Sequence, residues 1–316
     1  MPSTKAFVSW RRRWISRSLV AFALAAACFH GLDGFQPAAL AQEKPGYTRT
    51  EDLIYGRKFG TALTLDVFEP REKNGYGVIL IVSGGFFSSK QAINPAFAQP
   101  FLARGYTVFA VVHGSQPRFI IPEITQDLHR AVRWIRHESA RWGVKPEALG
   151  AFGASAGGHL SLTLATQGGP GSPEAKDPVD RESSAVKAIA CFFPPVDFAN
   201  WGAPGEDACG VGRLAGFKPA FGPRSDTAES RAEYSREISP WYFITARTAP
   251  SLIIHGDADA LVPLYQAQLF EKKAKEVGAT CKVIVNPGGE HGWPGIDKDL
   301  VTFADWFDEL LRGVKK

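Results

Sequence analysis

A serine, an aspartate and a histidine occur in this chain in an order and a setting suited to nucleophilic catalysis. The serine is Ser155, within Gly153-Ala154-Ser155-Ala156-Gly157. An apolar run, Ala148 to Phe152, precedes it, and a helix-like run, Gly158 to Thr166, follows. A serine on so sharp a strand-to-helix turn is presented on strained backbone, and the small residues around it leave room for the adjoining elements. Its hydroxyl is a poor nucleophile until a base accepts the proton, a task that suits imidazole near neutral pH. His291, in Pro287-Gly288-Gly289-Glu290-His291-Gly292-Trp293, follows the last strand-like run. Asp259 stands in His255-Gly256-Asp257-Ala258-Asp259-Ala260-Leu261-Val262-Pro263, again just after a strand-like run. A carboxylate there would accept from the imidazole N–H, fix its tautomer and stabilise the imidazolium. Asp257 is the rival for that role, and whichever loses caps the turn.

The other histidines are less well placed. His129 and His137 fall on a long helix, His159 lies one turn past the serine, and His255 ends a strand and supports the following turn. His113, at the end of another strand, is the one alternative that can approach the site. Charge developing on a substrate oxygen needs backbone N–H donors. Ala156, directly after the serine, supplies one. Ser83-Gly84-Gly85-Phe86-Phe87, after the third strand, offers Gly85 and Phe86 as the others. Phe86 and Trp293 are the candidate substrate-binding aromatics, ahead of Phe87 and Trp201. The chemistry calls for no metal and no cofactor.

These residues require a frame. Asp52 to Tyr55 and Leu63 to Phe68 read as strands joined through Gly56 and Gly60. Gly77 to Val82, Tyr106 to Val112, Ala148 to Phe152, Val186 to Phe193, Ser251 to Ile254 and Cys281 to Val285 are apolar and strand-like. Ile124 to Trp142, Val262 to Val277 and Asp299 to Leu311 are helical. Apolar strands alternating with helices predict an α/β fold with a mostly parallel central sheet and helices on both faces. Residues 197–248 are rich in Gly and Pro and too long for an ordinary loop. They are expected to form a small cap insert over the carboxyl ends of the strands, where such sheets bind ligands.

The first 41 residues differ in kind. Lys5, Arg11, Arg12, Arg13 and Arg17 form a basic head, Leu19 to Cys28 is apolar, and Ala39-Leu40-Ala41 is an A-x-A site before Gln42. That layout predicts a secretory signal peptide over 1–41, a catalytic domain over 42–316, and a periplasmic or secreted protein. Arg11-Arg12-Arg13 also resembles a twin-arginine signal. No membrane association is expected of the mature form unless Cys28 is lipidated. Lys+Arg number 36 against 32 Asp+Glu, and the excess belongs to the head. The remainder is formally neutral, which gives no electrostatic case for nucleic acid. Cys191, Cys209 and Cys281 read as buried thiols, with a Cys191–Cys209 disulfide as the alternative.

Ser155-Ala156-Gly157-Gly158-His159-Leu160, the His255-to-Pro263 stretch and the Ser239-Pro240 to Pro250 approach resemble α/β-hydrolase serine esterases. The nearest group is the bifunctional deacetylase–feruloyl esterase family, beside the hormone-sensitive-lipase-like carbohydrate esterases. The resemblance spans about Asp52 to Leu311 in motif order. It implies the α/β-hydrolase fold and the hydrolysis of small-molecule or polysaccharide-linked esters of acetyl or feruloyl type. Ser155, Asp259 and His291 then take the triad roles. One departure stands out, because the oxyanion loop of that family begins His-Gly-Gly and here it begins Ser83-Gly84-Gly85. The backbone donors survive the change, and the Ser83 hydroxyl is left to order the loop. A prolyl-oligopeptidase-like peptidase and an arylformamidase-like amidase share this catalytic half. A non-catalytic relative would be marked by loss of a triad residue, and all three are present.

Overall fold

The computed structural model describes residues 46–314. The basic and apolar head, Cys28 and the A-x-A site lie outside the described residues. Among the described residues, eight strands form one sheet: β1 (Tyr47–Lys58), β2 (Thr61–Pro70), β3 (Gly77–Val82), β4 (Thr107–Val112), β5 (Leu149–Ala154), β6 (Ala188–Phe192), β7 (Ser251–Gly256) and β8 (Cys281–Asn286). Their order is β1-β2-β4-β3-β5-β6-β7-β8. β2 pairs antiparallel with β1 and β4, and every other pairing is parallel. This is the α/β-hydrolase arrangement, with the turn carrying Ser155 at the carboxyl end of central strand β5.

The strands that read as unbroken apolar runs are those buried on both faces. In β3, Ile79 and Ile81 face one core while Val78, Leu80 and Val82 face the other. Among the described residues, seven helices accompany the sheet: α1 (Gln99–Leu102), α2 (Ile121–His137), α3 (Ala156–Gln167), α4 (Lys218–Phe221), α5 (Ala228–Ile238), α6 (Tyr265–Glu276) and α7 (Ile296–Arg312). α2 and α3 pack into the first core and α7 into the second. The Glu123 carboxylate caps α2 by accepting from the Ile120 N–H at 3.0 Å. α3 is buried on all sides from Ala156 to Ala165, which is why its sequence carries no helical polarity.

Two details depart from the sequence reading, and the cysteines follow it. Gly56 does not join two strands. It sits within β1 opposite Leu63 next to a register shift, and the turn falls at Phe59-Gly60, both at positive φ. The helix expected to reach Trp142 ends at His137; a separate 3-10 turn, Ser139–Trp142, follows and is stopped by left-handed Gly143. All three described cysteines are buried free thiols. Burial pushes the Cys209 thiol up to about 11 and the Cys281 thiol up to about 12, so both stay protonated near neutral pH.

Residues 197–248 contain α4, α5 and the 3-10 turns Gly212–Phe217, Pro223–Ser225 and Pro240–Phe243. The entry to this stretch is held by the buried Gln266 of α6. Its Oε1 accepts from the Val196 and Asp197 N–H groups, both at 2.8 Å. Its Nε2 donates to the Asn200 and Trp201 carbonyls at 2.8 and 2.7 Å. One side chain thus satisfies four backbone groups that no strand or helix provides for.

Candidate active site

Ser155 has φ 54° and ψ −119°, a conformation rare for a residue with a Cβ. The strand and helix around it make that shape possible only with glycine on either side. A Cβ on Gly153 would lie 2.6 Å from the Gly157 carbonyl carbon and oxygen, and one on Gly157 would lie 2.8 Å from the Ile81 oxygen. The turn is fastened by the Ser155 N–H, which donates to the Phe192 carbonyl at 3.0 Å. The serine is thereby presented at the amino end of α3, where the helix dipole favours negative charge.

His291 Nε2 lies 2.8 Å from Ser155 Oγ, and His291 Nδ1 lies 2.7 Å from Asp259 Oδ2. The Asp259 side chain is fully buried. It also accepts from the Leu261 and Val262 N–H groups at 2.9 and 2.8 Å, and His255 Nε2 stands 3.4 Å away. Burial alone would raise its carboxyl group. The hydrogen bonds from His255, His291 and Val262 outweigh burial and hold it well below the usual carboxylate range. A permanent anion therefore faces the Nδ1 side of His291 and fixes the tautomer whose Nε2 can accept the serine proton.

The loops bearing Asp259 and His291 are docked backbone to backbone. The Ala258 N–H donates to the Gly289 carbonyl at 2.9 Å, and a Cβ on Gly256 would lie 2.0 Å from that same oxygen. Asp257, the rival acid, does not face the imidazole. Its Oδ1 accepts from the Gly288 N–H at 2.6 Å and ties the same two loops from the outside. His255 closes the Asp259 turn through its 2.8 Å contact with the Val262 carbonyl. Trp201, fully buried, donates from Nε1 to the Leu261 carbonyl at 3.1 Å and is a support of that turn, not a substrate contact.

Gly85 and Phe86 both take positive φ, 54° and 65°. Their carbonyls are held by Gln116, a buried residue that the sequence reading passed over. Gln116 Nε2 donates to the Gly85 oxygen at 2.5 Å, and the Gln116 N–H donates to the Phe86 oxygen at 3.2 Å. Because a trans peptide sets N–H opposite C=O, holding the Gly85 carbonyl turns the Phe86 N–H the other way. The Gly84 carbonyl is likewise taken by the Phe87 N–H at 2.9 Å, which frees the Gly85 N–H to face the opposite side. Gly85, Phe86, Ser155 and Ala156 line one small cleft. The Ser83 hydroxyl does not order this loop, since Ser83 Oγ is buried without a hydrogen-bond partner among the described residues. Ser88 does so instead, donating to the Val82 carbonyl at 2.6 Å and accepting from the His113 N–H at 3.2 Å.

The aromatic candidates divide. Phe86 is buried and lines the cleft, edge-on to His159 and Phe221. Phe87 is exposed, and it is absent from the cleft wall. Trp293 is not in the wall either. It packs edge-on against Phe192 and Phe193 and donates to Asp299 Oδ2 at 2.7 Å, so it braces the loop behind His291. Phe193, read only as the end of a strand, has its ring centroid 4.4 Å from that of His291. His113 is buried, with Nδ1 2.8 Å from the Gly114 carbonyl. The cleft is completed by Leu214, Phe217 and Phe221 of the insert.

A family model described as BD-FAE matches residues 65–274, in agreement with the resemblance drawn from the motifs. The chain is similar to a probable carboxylic ester hydrolase, LipM, of Mycobacterium tuberculosis, with 26% identity over 73% of this chain and 53% of the relative. It is also similar to an acetylxylan esterase of Xylanibacter ruminicola, with 22% identity over 78% of this chain and 45% of the relative. The chain thus spans about half the length of these curated relatives. Among solved structures, a truncated carbohydrate esterase from gut microbiota superposes with a TM-score of 0.72 at 26% identity, over 84% of this chain and 98% of that one.

Proposed function

The chain belongs to the BD-FAE family, and on that premise we propose that it is an exported serine carboxylesterase acting on short-chain or plant-derived esters of acetyl or feruloyl type. The observation that carries this reading is the continuous hydrogen-bonded chain from Ser155 Oγ through His291 to Asp259, at 2.8 and 2.7 Å, at the mouth of an apolar cleft. In the mechanism, His291 Nε2 accepts the Ser155 proton as Oγ attacks the ester carbonyl carbon. The carbonyl oxygen becomes anionic within reach of the Gly85, Phe86 and Ala156 N–H groups. Collapse of this intermediate expels the alcohol, which takes its proton from His291, and leaves an acyl group on Ser155. Water, deprotonated by the same imidazole, then attacks the acyl carbon and releases the acid with Ser155 restored. Asp259 stays ionised throughout and stabilises each imidazolium. Export rests on the head, and an exported species whose intact mass begins at Gln42 is the expected product of cleavage after Ala41.

The test is a hydrolysis panel of p-nitrophenyl esters, methyl ferulate, acetylated xylan and an aminoacyl-proline anilide, run beside Ser155→Ala. Ester turnover that falls by roughly 10⁴-fold or more in Ser155→Ala is the expected result. Anilide cleavage without ester turnover would replace the esterase by a peptidase.

A further inference from the structure

We propose that Phe217, contributed by the insert, is the residue that sets acyl length, so that the site accepts acetyl and shuts out longer and aromatic acyl groups. This rests on the esterase reading above and narrows it. The cleft that opens on Ser155 and on Gly85, Phe86 and Ala156 has a cavity volume of about 20 Å³. That is a narrow space, which fits a small acyl group better than a phenyl ring. Because Gly85, Phe86 and Ala156 form its wall, this is the space that the acyl portion enters when the carbonyl oxygen is among those donors.

The walls differ in what holds them. Phe221 is fully buried and sits edge-on between Phe86 and Phe198, at ring-centroid distances of 6.3 and 5.1 Å. Leu214 is buried as well. Both belong to the packed core, and shrinking either would cost stability. Phe217 is only half-buried and lies at the end of a short 3-10 turn. Its ring leans on the oxyanion loop itself: a Cβ on Gly85 would lie 2.4 Å from Phe217 Cε1 and 2.7 Å from Cδ1. The turn is tethered to the acid loop, because the Arg213 guanidinium donates to the Ala260 carbonyl. Phe217 therefore closes the cleft at its open side over the loop that must bind the substrate oxygen, while the fixed residues form the floor.

The experiment compares p-nitrophenyl acetate, butyrate, octanoate and ferulate, a series with one leaving group, on the wild type, Phe217→Ala and Phe217→Leu. The wild type is expected to favour acetate over octanoate and ferulate by at least 100-fold in kcat/KM, given that each misfitted methylene is worth roughly 10-fold or more. Phe217→Ala is expected to raise the octanoate-to-acetate and ferulate-to-acetate ratios by at least 10-fold, with Phe217→Leu intermediate. The leucine variant keeps the test informative if the alanine variant does not fold. A wild type that turns over ferulate as well as acetate overturns the proposal while leaving the esterase intact, as do ratios that stay fixed in both variants. Absence of turnover of every ester by folded wild type overturns the esterase reading itself.

Discussion

Gln116 has no reactive chemistry of its own, yet it holds the loop proposed to stabilise charge on the substrate oxygen. Its side-chain amide and its own N–H occupy the Gly85 and Phe86 carbonyls. The loop in turn accepts positive φ at both positions, including at a phenylalanine, where this is a strained choice. Removing the amide leaves the Gly85 carbonyl without its partner, and the peptide bearing the Phe86 N–H is free to rotate. Gln116→Ala is therefore expected to lower kcat by about 10- to 100-fold with little change in KM, since losing one oxyanion donor outright costs roughly 10²- to 10³-fold. Steady-state kinetics on p-nitrophenyl acetate check this. A change confined to KM would assign Gln116 to the binding of substrate in its ground state.

At the scale of elements, the site depends on how closely two loops approach. The turn after β7 carries Asp259, the turn after β8 carries His291, and Gly256 lets the Gly289 carbonyl come within a distance that no Cβ would permit. Gly256→Ala must push the two loops apart and lengthen the Asp259–His291 contact. The expected outcome is a loss of kcat of at least 10²-fold with the thermal midpoint lowered by only a few degrees, because only the last pair of the β7–β8 ladder, Gly256 with Asn286, is disturbed. A variant with unchanged kcat would show that the docking is dispensable. This packing also explains what could be read from the sequence. Ser155, Asp259 and His291 follow strands whose apolar runs are unmistakable, so each could be placed at the carboxyl end of the sheet. Gly153 and Gly157 were legible as required by the turn. Gln116, Phe193 and Phe217 were not, because each acts through a contact distant in sequence. Phe193 reaches His291, Gln116 reaches Gly85 and Phe217 covers that loop from an insert of irregular turns. For Trp293, proximity in sequence to His291 suggests the cleft, whereas its indole packs edge-on against Phe192. Ser83 stands where the resemblance expects a histidine, and its substitution drew notice to the right loop while the ordering contacts come from Ser88 and Gln116.

Taken whole, the molecule buries histidines that cannot be charged without cost. Burial holds His113, His129 and His159 down to about 4, and all three are neutral at pH 7. His113 and His159 each also have an Nε2 without a partner among the described residues. In the unfolded chain these groups titrate at about 6.5. Between pH 6.5 and about 4 the unfolded chain thus binds more protons, and stability must fall as pH falls through that window. Each group contributes on the order of 3 kcal/mol across it. The Asp259 carboxyl, held below its ordinary range, acts in a separate window: its contribution is present above about pH 4 and is lost below that. Urea midpoints measured at pH 7 and 4.5 are expected to drop steeply, and His159→Gln to flatten the slope. A wild-type midpoint independent of pH over that range would contradict the burial of neutral histidines.

Whether the frame makes Ser155 alone a nucleophile is read by covalent labelling. Folded protein is treated with an organophosphonate, its intact mass is measured, and the adduct is located by peptide mapping. One adduct per chain is expected, on Ser155, absent in Ser155→Ala and slowed by at least 10³-fold in His291→Ala. An adduct on another residue, or an unmodified Ser155 in folded protein, would contradict it.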